Sequence, residues 1–207
     1  MLQTIKAFAL LGGDWVLYIL LGLSLWAVAV IWNRFLHFRA KEREGEVLGG
    51  QVPDLLAQGQ FQKVTKLVEK AVSPEGAILK AGLANLSLKT EGLDRVLESS
   101  RLNEKMGMER NLLVLGTLGN NAPFIGLFGT VLGIIKAFND LAISGTSGPT
   151  IVMRGVSEAL VSTAVGLLIA IPAVAAYNYF QGKIKRHLSN AERLSNLLVA
   201  YSAKTKE

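Results

Sequence analysis

Apolar residues are concentrated in three long runs that divide the chain of 207 residues. The runs cover residues 15–32, 112–135 and 159–180, and none of them contains Asp, Glu, Lys, Arg or His. About 20 apolar residues in a helix cross the hydrocarbon core of a bilayer, where each backbone polar group must be paired within the segment. The pattern therefore predicts an all-α integral membrane protein with three transmembrane helices.

Polar and apolar residues recur at helical spacing in the segment after the first run, residues 33–111. Within it, Ser73 and Pro74 are typical of the N-cap and the first position of a helix. No proline follows Leu93 until Pro123. This absence predicts one continuous helix that leads from the segment straight into the second run.

The C-terminal segment, residues 181–207, carries a single apolar stripe at intervals of three and four residues. The stripe consists of Ile184, Leu188, Ala191, Leu194, Leu198 and Tyr201. Two interpretations fit it: a contact between subunits, and packing of the tail on the loop helices of its own chain. Either way, the third transmembrane helix is predicted to continue as a long helical extension.

Basic residues are distributed unequally among the segments that flank the runs. Of the 22 Lys and Arg residues, 13 lie in residues 33–111 and 6 in residues 181–207. Because basic segments stay on the cytoplasmic side, these two are predicted to be a cytoplasmic helical loop and a cytoplasmic C-terminal helix. Residues 1–14 then form an outside N-terminal segment, and residues 136–158 a short outside connection. Only Lys6 precedes the first run, which favours a retained anchor over a cleaved signal peptide.

Composition excludes several classes of function. The chain has no cysteine, which leaves no disulfide framework and no thiolate site for a metal or for redox chemistry. His37 and His187 stand beside basic residues near the ends of runs, where we expect them at headgroup level. No catalytic residue, cofactor site or metal site is predicted. The net charge of +6 reflects the basic cytoplasmic segments, which we expect to face anionic membrane lipids and not nucleic acid.

Small residues form matching stripes on the second and third runs, and such stripes let membrane helices approach closely. Their glycines are Gly126, Gly129, Gly133 and Gly166. Each of these two runs also contains a proline, which removes a backbone hydrogen bond inside a helix. Kinks are therefore expected at Pro123 and Pro172.

Two threonines lie at similar depth in the second and third runs. At 1.5 Å per residue, Thr130 and Thr163 are each roughly 9–10 Å from the outer boundary of antiparallel helices. They either line a polar passage or bind carbonyl groups of their own helices. Glu158, the only carboxylate adjoining these two runs, is expected in the first turn of a helix, where the helix dipole favours it. It is either a proton or cation acceptor at the mouth of the passage or an interfacial cap.

No run carries a titratable side chain at mid-membrane, although a proton relay normally needs one. An assembly that conducts protons would therefore take its carboxylate from a partner. A small-solute transporter is disfavoured, because the chain has no binding site of its own at the membrane midplane.

Two stretches carry a resemblance to a known family. The stretches "APFIGLFGTVLGIIKAF" and "GVSEALVSTAVGLLIAIPAVAAYNYF" resemble the two signature spans of the MotA/TolQ/ExbB proton-channel family, nearest to its ExbB and TolQ branch. By this resemblance, Thr130 and Thr163 are the pore threonines and Glu158 is the functional glutamate. The resemblance thus favours the passage over binding to carbonyl groups of the same helix.

The resemblance also implies an assembly in the bacterial inner membrane. Members form a homopentamer around two copies of a single-span ExbD- or TolR-like protein, whose aspartate carries the proton. The proton motive force then drives a TonB- or TolA-like arm that acts at the outer membrane. Two alternatives remain: the same type of motor driving gliding or another surface process, and a non-conducting membrane scaffold.

Overall fold

A computed structural model describes residues 12–144 and 148–206 of the chain. These residues form six α-helices and no β-strand. The helices are α1 (Asp14–Ala57), α2 (Phe61–Val68), α3 (Pro74–Ala84), α4 (Thr90–Glu109), α5 (Leu112–Ser144) and α6 (Gly148–Lys206). Most of the predicted outside segment, residues 1–11, lies outside the described residues, as do residues 145–147 and residue 207.

Three of these helices, α1, α5 and α6, are long and apolar enough to cross a membrane. The all-helical class is therefore confirmed, and three candidate membrane-spanning helices are present where three were predicted. Each helix continues beyond its apolar run, since α1 extends to Ala57 and α5 to Ser144. The predicted connection, residues 136–158, is helical up to Ser144 and again from Gly148. Residues 136–144 mix polar and apolar side chains and contain no proline, so α5 continues beyond its apolar run.

The chain divides into two compact units. The first unit combines residues 12–32 with residues 111–178 and holds the apolar segments of the three long helices. Its core contains small and branched side chains, which lets α1, α5 and α6 pack together. The fully or almost fully buried members are Val16, Leu20, Ala122, Leu132, Ile169 and Ala170.

The second unit combines residues 33–110 with residues 179–206. Its core joins the apolar stripe of α6 to the loop helices of the same chain, and Leu194 and Leu198 are fully buried there. On α3, Gly82 lies so close to this stripe that a Cβ atom would be 2.7 Å from a methyl carbon of Leu198. Of the two open interpretations of the stripe, packing on the chain's own helices is therefore the one observed.

Two local predictions for the loop have different outcomes. The N-cap is confirmed, because the backbone N–H of Gly76 donates to Ser73 Oγ at 3.2 Å and Pro74 begins α3. The single helix leading into the second run is wrong, because α4 ends at Glu109 and α5 begins at Leu112. Between them Asn111 has a φ of 66°, the left-handed conformation that asparagine tolerates better than most residues.

Candidate functional site

Glycine residues set the distance between α5 and α6 in the first unit. A Cβ atom at Gly126 would be 2.6 Å from the carbonyl oxygen of Ser162, and one at Gly133 would be 2.6 Å from the Cβ of Ala159. Both distances are too short for real atoms, so these positions accept only glycine at this spacing. Gly129, which faces Ser162, and Gly166, which faces Ala122, show the same close approach. The predicted close packing is present within one chain, and its role around a pore stays a prediction.

The close approach brings Thr130 and Thr163 together. Their hydroxyl oxygens are 2.5 Å apart, although 33 positions separate them in the sequence. Thr130 is buried, and its Oγ1 also lies 3.2 Å from the carbonyl oxygens of Gly126 and Ala159. A hydroxyl carries one proton, so Thr163 can donate to Thr130 while Thr130 donates to one of the two carbonyls. The contact between threonines and the bond to a carbonyl of the same helix are thus compatible.

Pro123 and Pro172 lie inside α5 and α6, and both helices continue through them. Proline donates no backbone hydrogen bond, so each helix lacks one i→i−4 bond at this point. The two predicted kinks stay predictions.

Glu158 lies on α6 and is exposed, and its carboxylate accepts a hydrogen bond from Arg154 Nε at 2.9 Å. The prediction that it occupies the first turn of a helix is wrong, because α6 begins ten residues earlier at Gly148. The helix dipole acts on the first turn, so it does not hold this carboxylate. The local cation, Arg154, is the partner that the structure gives it.

Three further residues near Glu158 were missed by sequence reasoning. Asp14, Asp140 and Ser162 line the same cavity as Glu158, in the first unit. Asp14 and Asp140 fall just outside the apolar runs, and only the extension of the helices beyond those runs places them here. Ser162 lies directly before Thr163, and nothing in the sequence singles it out as a member of this cavity.

The second unit contains a buried acid–base pair that the sequence did not reveal. His187 Nδ1 lies 2.8 Å from Glu75 Oε1, and the two side chains are 6% and 0% exposed. Gly45 makes room for this carboxylate, because a Cβ there would be 2.8 Å from Glu75 Oε1. The ring of His187 is therefore buried against the loop, and its predicted position at headgroup level stays a prediction. The partners are 112 positions apart, and no local pattern connects them.

Sequence comparison connects this geometry to a family. The pattern of the MotA/TolQ/ExbB proton channel family matches residues 70–193, which is more than half of the chain. The matched region includes α3, α4, α5 and all the predicted pore residues. It therefore contains both Thr130 and Thr163.

Individual relatives agree with this match. The chain is 38% identical over 112 residues to the Tol-Pal system protein TolQ of Pseudomonas aeruginosa, covering 52% of this chain and 48% of that protein. It is 42% identical over 111 residues to the biopolymer transport protein ExbB of Pseudomonas putida, covering 52% and 32%. A shorter match to ExbB of Salmonella typhimurium is 49% identical over 70 residues, covering 34% and 29%. The chain thus covers less than half the length of each of these three relatives.

Proposed function

We propose, since this chain belongs to the MotA/TolQ/ExbB proton channel family, that it is the cage subunit of an inner-membrane motor driven by the proton motive force. The names of its relatives, a Tol-Pal system protein and biopolymer transport proteins, support a role in energising such systems. The subunit is a multi-pass membrane protein and not an enzyme. Its proposed task is to guide ions and to transmit force.

The contact between Thr130 and Thr163 is the observation that carries this proposal. The two hydroxyls meet between two helices whose apolar runs contain no Asp, Glu, Lys, Arg or His. A hydroxyl pair conducts protons only next to a group that binds and releases them, because threonine itself does not titrate in the working range. The pair therefore fits a channel in which a partner contributes the carboxylate.

The proposed assembly is the one that the resemblance to the family implies. It is a homopentamer around two copies of a single-span ExbD- or TolR-like protein, whose membrane aspartate faces Thr130 and Thr163. The N-terminus is periplasmic, and residues 33–111 and 181–207 are cytoplasmic, beside anionic lipids. A TonB- or TolA-like protein takes up the resulting motion, and Glu158 adjusts the electrostatics of the entrance.

A non-conducting scaffold is the rival, and one observation favours it. The hydroxyl of Thr130 is within 3.2 Å of the carbonyl oxygen of Gly126, so packing alone gives it a partner. In a scaffold, the glycines would hold α5 against α6 and the hydroxyl of Thr163 would be dispensable. The two proposals differ in what they require of Thr163, because only conduction depends on its oxygen.

The experiment replaces Thr163 in the chain co-purified with its single-span partner and measures proton flux in liposomes. Thr163→Val keeps the shape and removes the hydroxyl, so we expect flux to fall at least tenfold. Thr163→Ser keeps the hydroxyl and should retain most of the flux. Thr65→Val is the control, because the Thr65 hydroxyl only donates to the carbonyl of Phe61, at 3.0 Å on α2. Absence of flux in the unsubstituted complex would favour the scaffold, and full flux in Thr163→Val would contradict the role proposed for its hydroxyl.

The native mass of the detergent-solubilised complex tests the assembly independently. We expect five copies of the chain alone, and two added copies of the single-span protein after co-expression. A monomer or dimer that never retains a partner would contradict the proposed motor.

A further inference from the structure

A polar cavity of about 330 Å³ lies inside the first unit, between α1, α5 and α6. It is near the ends of α5 and α6 that their short connection joins. Five charged side chains line it, three of them acidic and two basic: Asp14, Asp140, Glu158, Lys136 and Arg154. A gap left by imperfect packing in a membrane protein would be lined by apolar groups and would stay dry. The charged lining and the size of this cavity predict that it holds water.

Four of the five charged side chains in the lining form two ion pairs. Lys136 Nζ lies 3.8 Å from Asp14 Oδ2, and Arg154 Nε donates to Glu158 at 2.9 Å. The side chains of these two pairs remain between 42% and 82% exposed, so the ions are solvated and do not close the cavity. With three acids and two bases, the lining carries one net negative charge. Such a lining raises the local concentration of cations relative to anions.

The inner end of the cavity reaches the threonine pair through α6. Ala159 lines the cavity, and its carbonyl oxygen is 3.2 Å from Thr130 Oγ1. Ser162 also lines the cavity, directly before Thr163 in the sequence, and it is only 1% exposed. Its Oγ lies 3.0 Å from the position that a Cβ of Gly129 would occupy. A buried hydroxyl needs a hydrogen-bond partner, and water in the cavity would supply one.

We propose that this cavity is a hydrated entrance within each subunit, through which a proton reaches the Thr130–Thr163 pair, with Ser162 as the positioning hydroxyl at its inner end. The inference rests on the proposed channel function, since a scaffold has no use for an entrance. It adds a route through the subunit itself, and it adds Ser162, Asp14 and Asp140 to the residues that matter for flux.

Cysteine labelling tests the entrance directly, because the natural chain has no cysteine. The variant Ser162→Cys is made in the complex with its single-span partner and exposed to small methanethiosulfonate reagents, one cationic and one anionic. We expect the cationic reagent to modify Ser162→Cys at least tenfold faster than the anionic one and to lower proton flux. The matched control is Ala170→Cys, because Ala170 is similarly buried on α6, at 4% exposure, but lies in the apolar core. It should react with neither reagent.

The outcomes separate the entrance from the channel itself. If neither reagent modifies Ser162→Cys while Thr163→Val still abolishes flux, the channel stands and this entrance is wrong. If Ser162→Cys is modified without any change in flux, the cavity holds water but is not the route, which also overturns the proposal. Should Ser162→Cys fail to assemble, Ser162→Ala replaces it: a several-fold loss of flux supports the entrance, and unchanged flux overturns it.

Discussion

At the scale of the residue, single atoms decide how close α5 and α6 can come. Adding one methyl group at Gly126 forces the Ser162 backbone away, and overpacking of this kind costs about 1–3 kcal/mol. We therefore expect Gly126→Ala to lower the melting temperature in detergent by several degrees. Gly22→Ala is the control, because a Cβ at Gly22 of α1 meets no atom within 4 Å. Equal melting temperatures for the two variants would contradict the packing described.

The buried pair of Glu75 and His187 is a second feature of single residues with a measurable effect. Removing either side chain leaves the other polar group buried without its partner, which is costly in an apolar environment. A double-mutant cycle with Glu75→Ala and His187→Ala should give a coupling free energy of about 1–3 kcal/mol in denaturant unfolding. The exposed pair of Glu91 and Arg95, at 84% and 81% exposure, is the control and should give about 0.5 kcal/mol or less. Equal coupling free energies in both pairs would mean that burial does not strengthen the interaction of Glu75 with His187.

At the scale of the element, the break between α4 and α5 depends on the backbone of Asn111. A side chain in the left-handed conformation costs roughly 1–2 kcal/mol, and asparagine and glycine avoid most of it. Asn111→Ala should therefore destabilise the protein by about 1 kcal/mol, while Asn111→Gly should leave the free energy of unfolding nearly unchanged. Asn103→Ala, at an exposed position inside α4, is the control and should be neutral or slightly stabilising. A harmless Asn111→Ala would indicate that α4 and α5 join as one helix.

The same break shows what the sequence predicts about elements and what it does not. The length of the apolar runs predicts α1, α5 and α6, because a helix that crosses a bilayer must be apolar over the thickness of the lipid. Helix ends are less well encoded: no proline or glycine marks residues 110–112, so the break there was missed. The extension of α5 to Ser144 was also missed, because the apolar run ends before it and polar residues follow.

The part of the candidate site that could be predicted is the part that depends on position along a single helix. The depths of Thr130 and Thr163 follow from counting residues, and the two hydroxyls do meet. Ser162 and Asp140 join the cavity only through the packing of three helices, which one sequence does not specify. The pairing of Glu75 with His187 likewise depends on the fold of the second unit, since the two residues lie 112 positions apart.

At the scale of the whole molecule, the distribution of basic residues predicts the orientation in the membrane. Residues 33–111 and 181–207 hold 19 of the 22 Lys and Arg residues, and such segments stay in the cytoplasm. The long helix α6 is thus predicted to start in the periplasm and end in the cytoplasm, so we expect exposed positions near its two ends to face different compartments. Thr150 and Ser189 are such positions, and both are exposed.

Labelling of single cysteines at these two positions checks the orientation in whole cells. In the cysteine-free chain, Thr150→Cys should react with a membrane-impermeant maleimide added to intact cells. Ser189→Cys should react only after the inner membrane has been opened, because the bilayer otherwise separates it from the reagent. The two substitutions are chemically matched and lie on the same helix, so each is the control for the other. Reaction of Ser189→Cys in intact cells, with Thr150→Cys protected, would reverse the orientation and place the charged cavity on the cytoplasmic side. The proposed entrance would then become an exit.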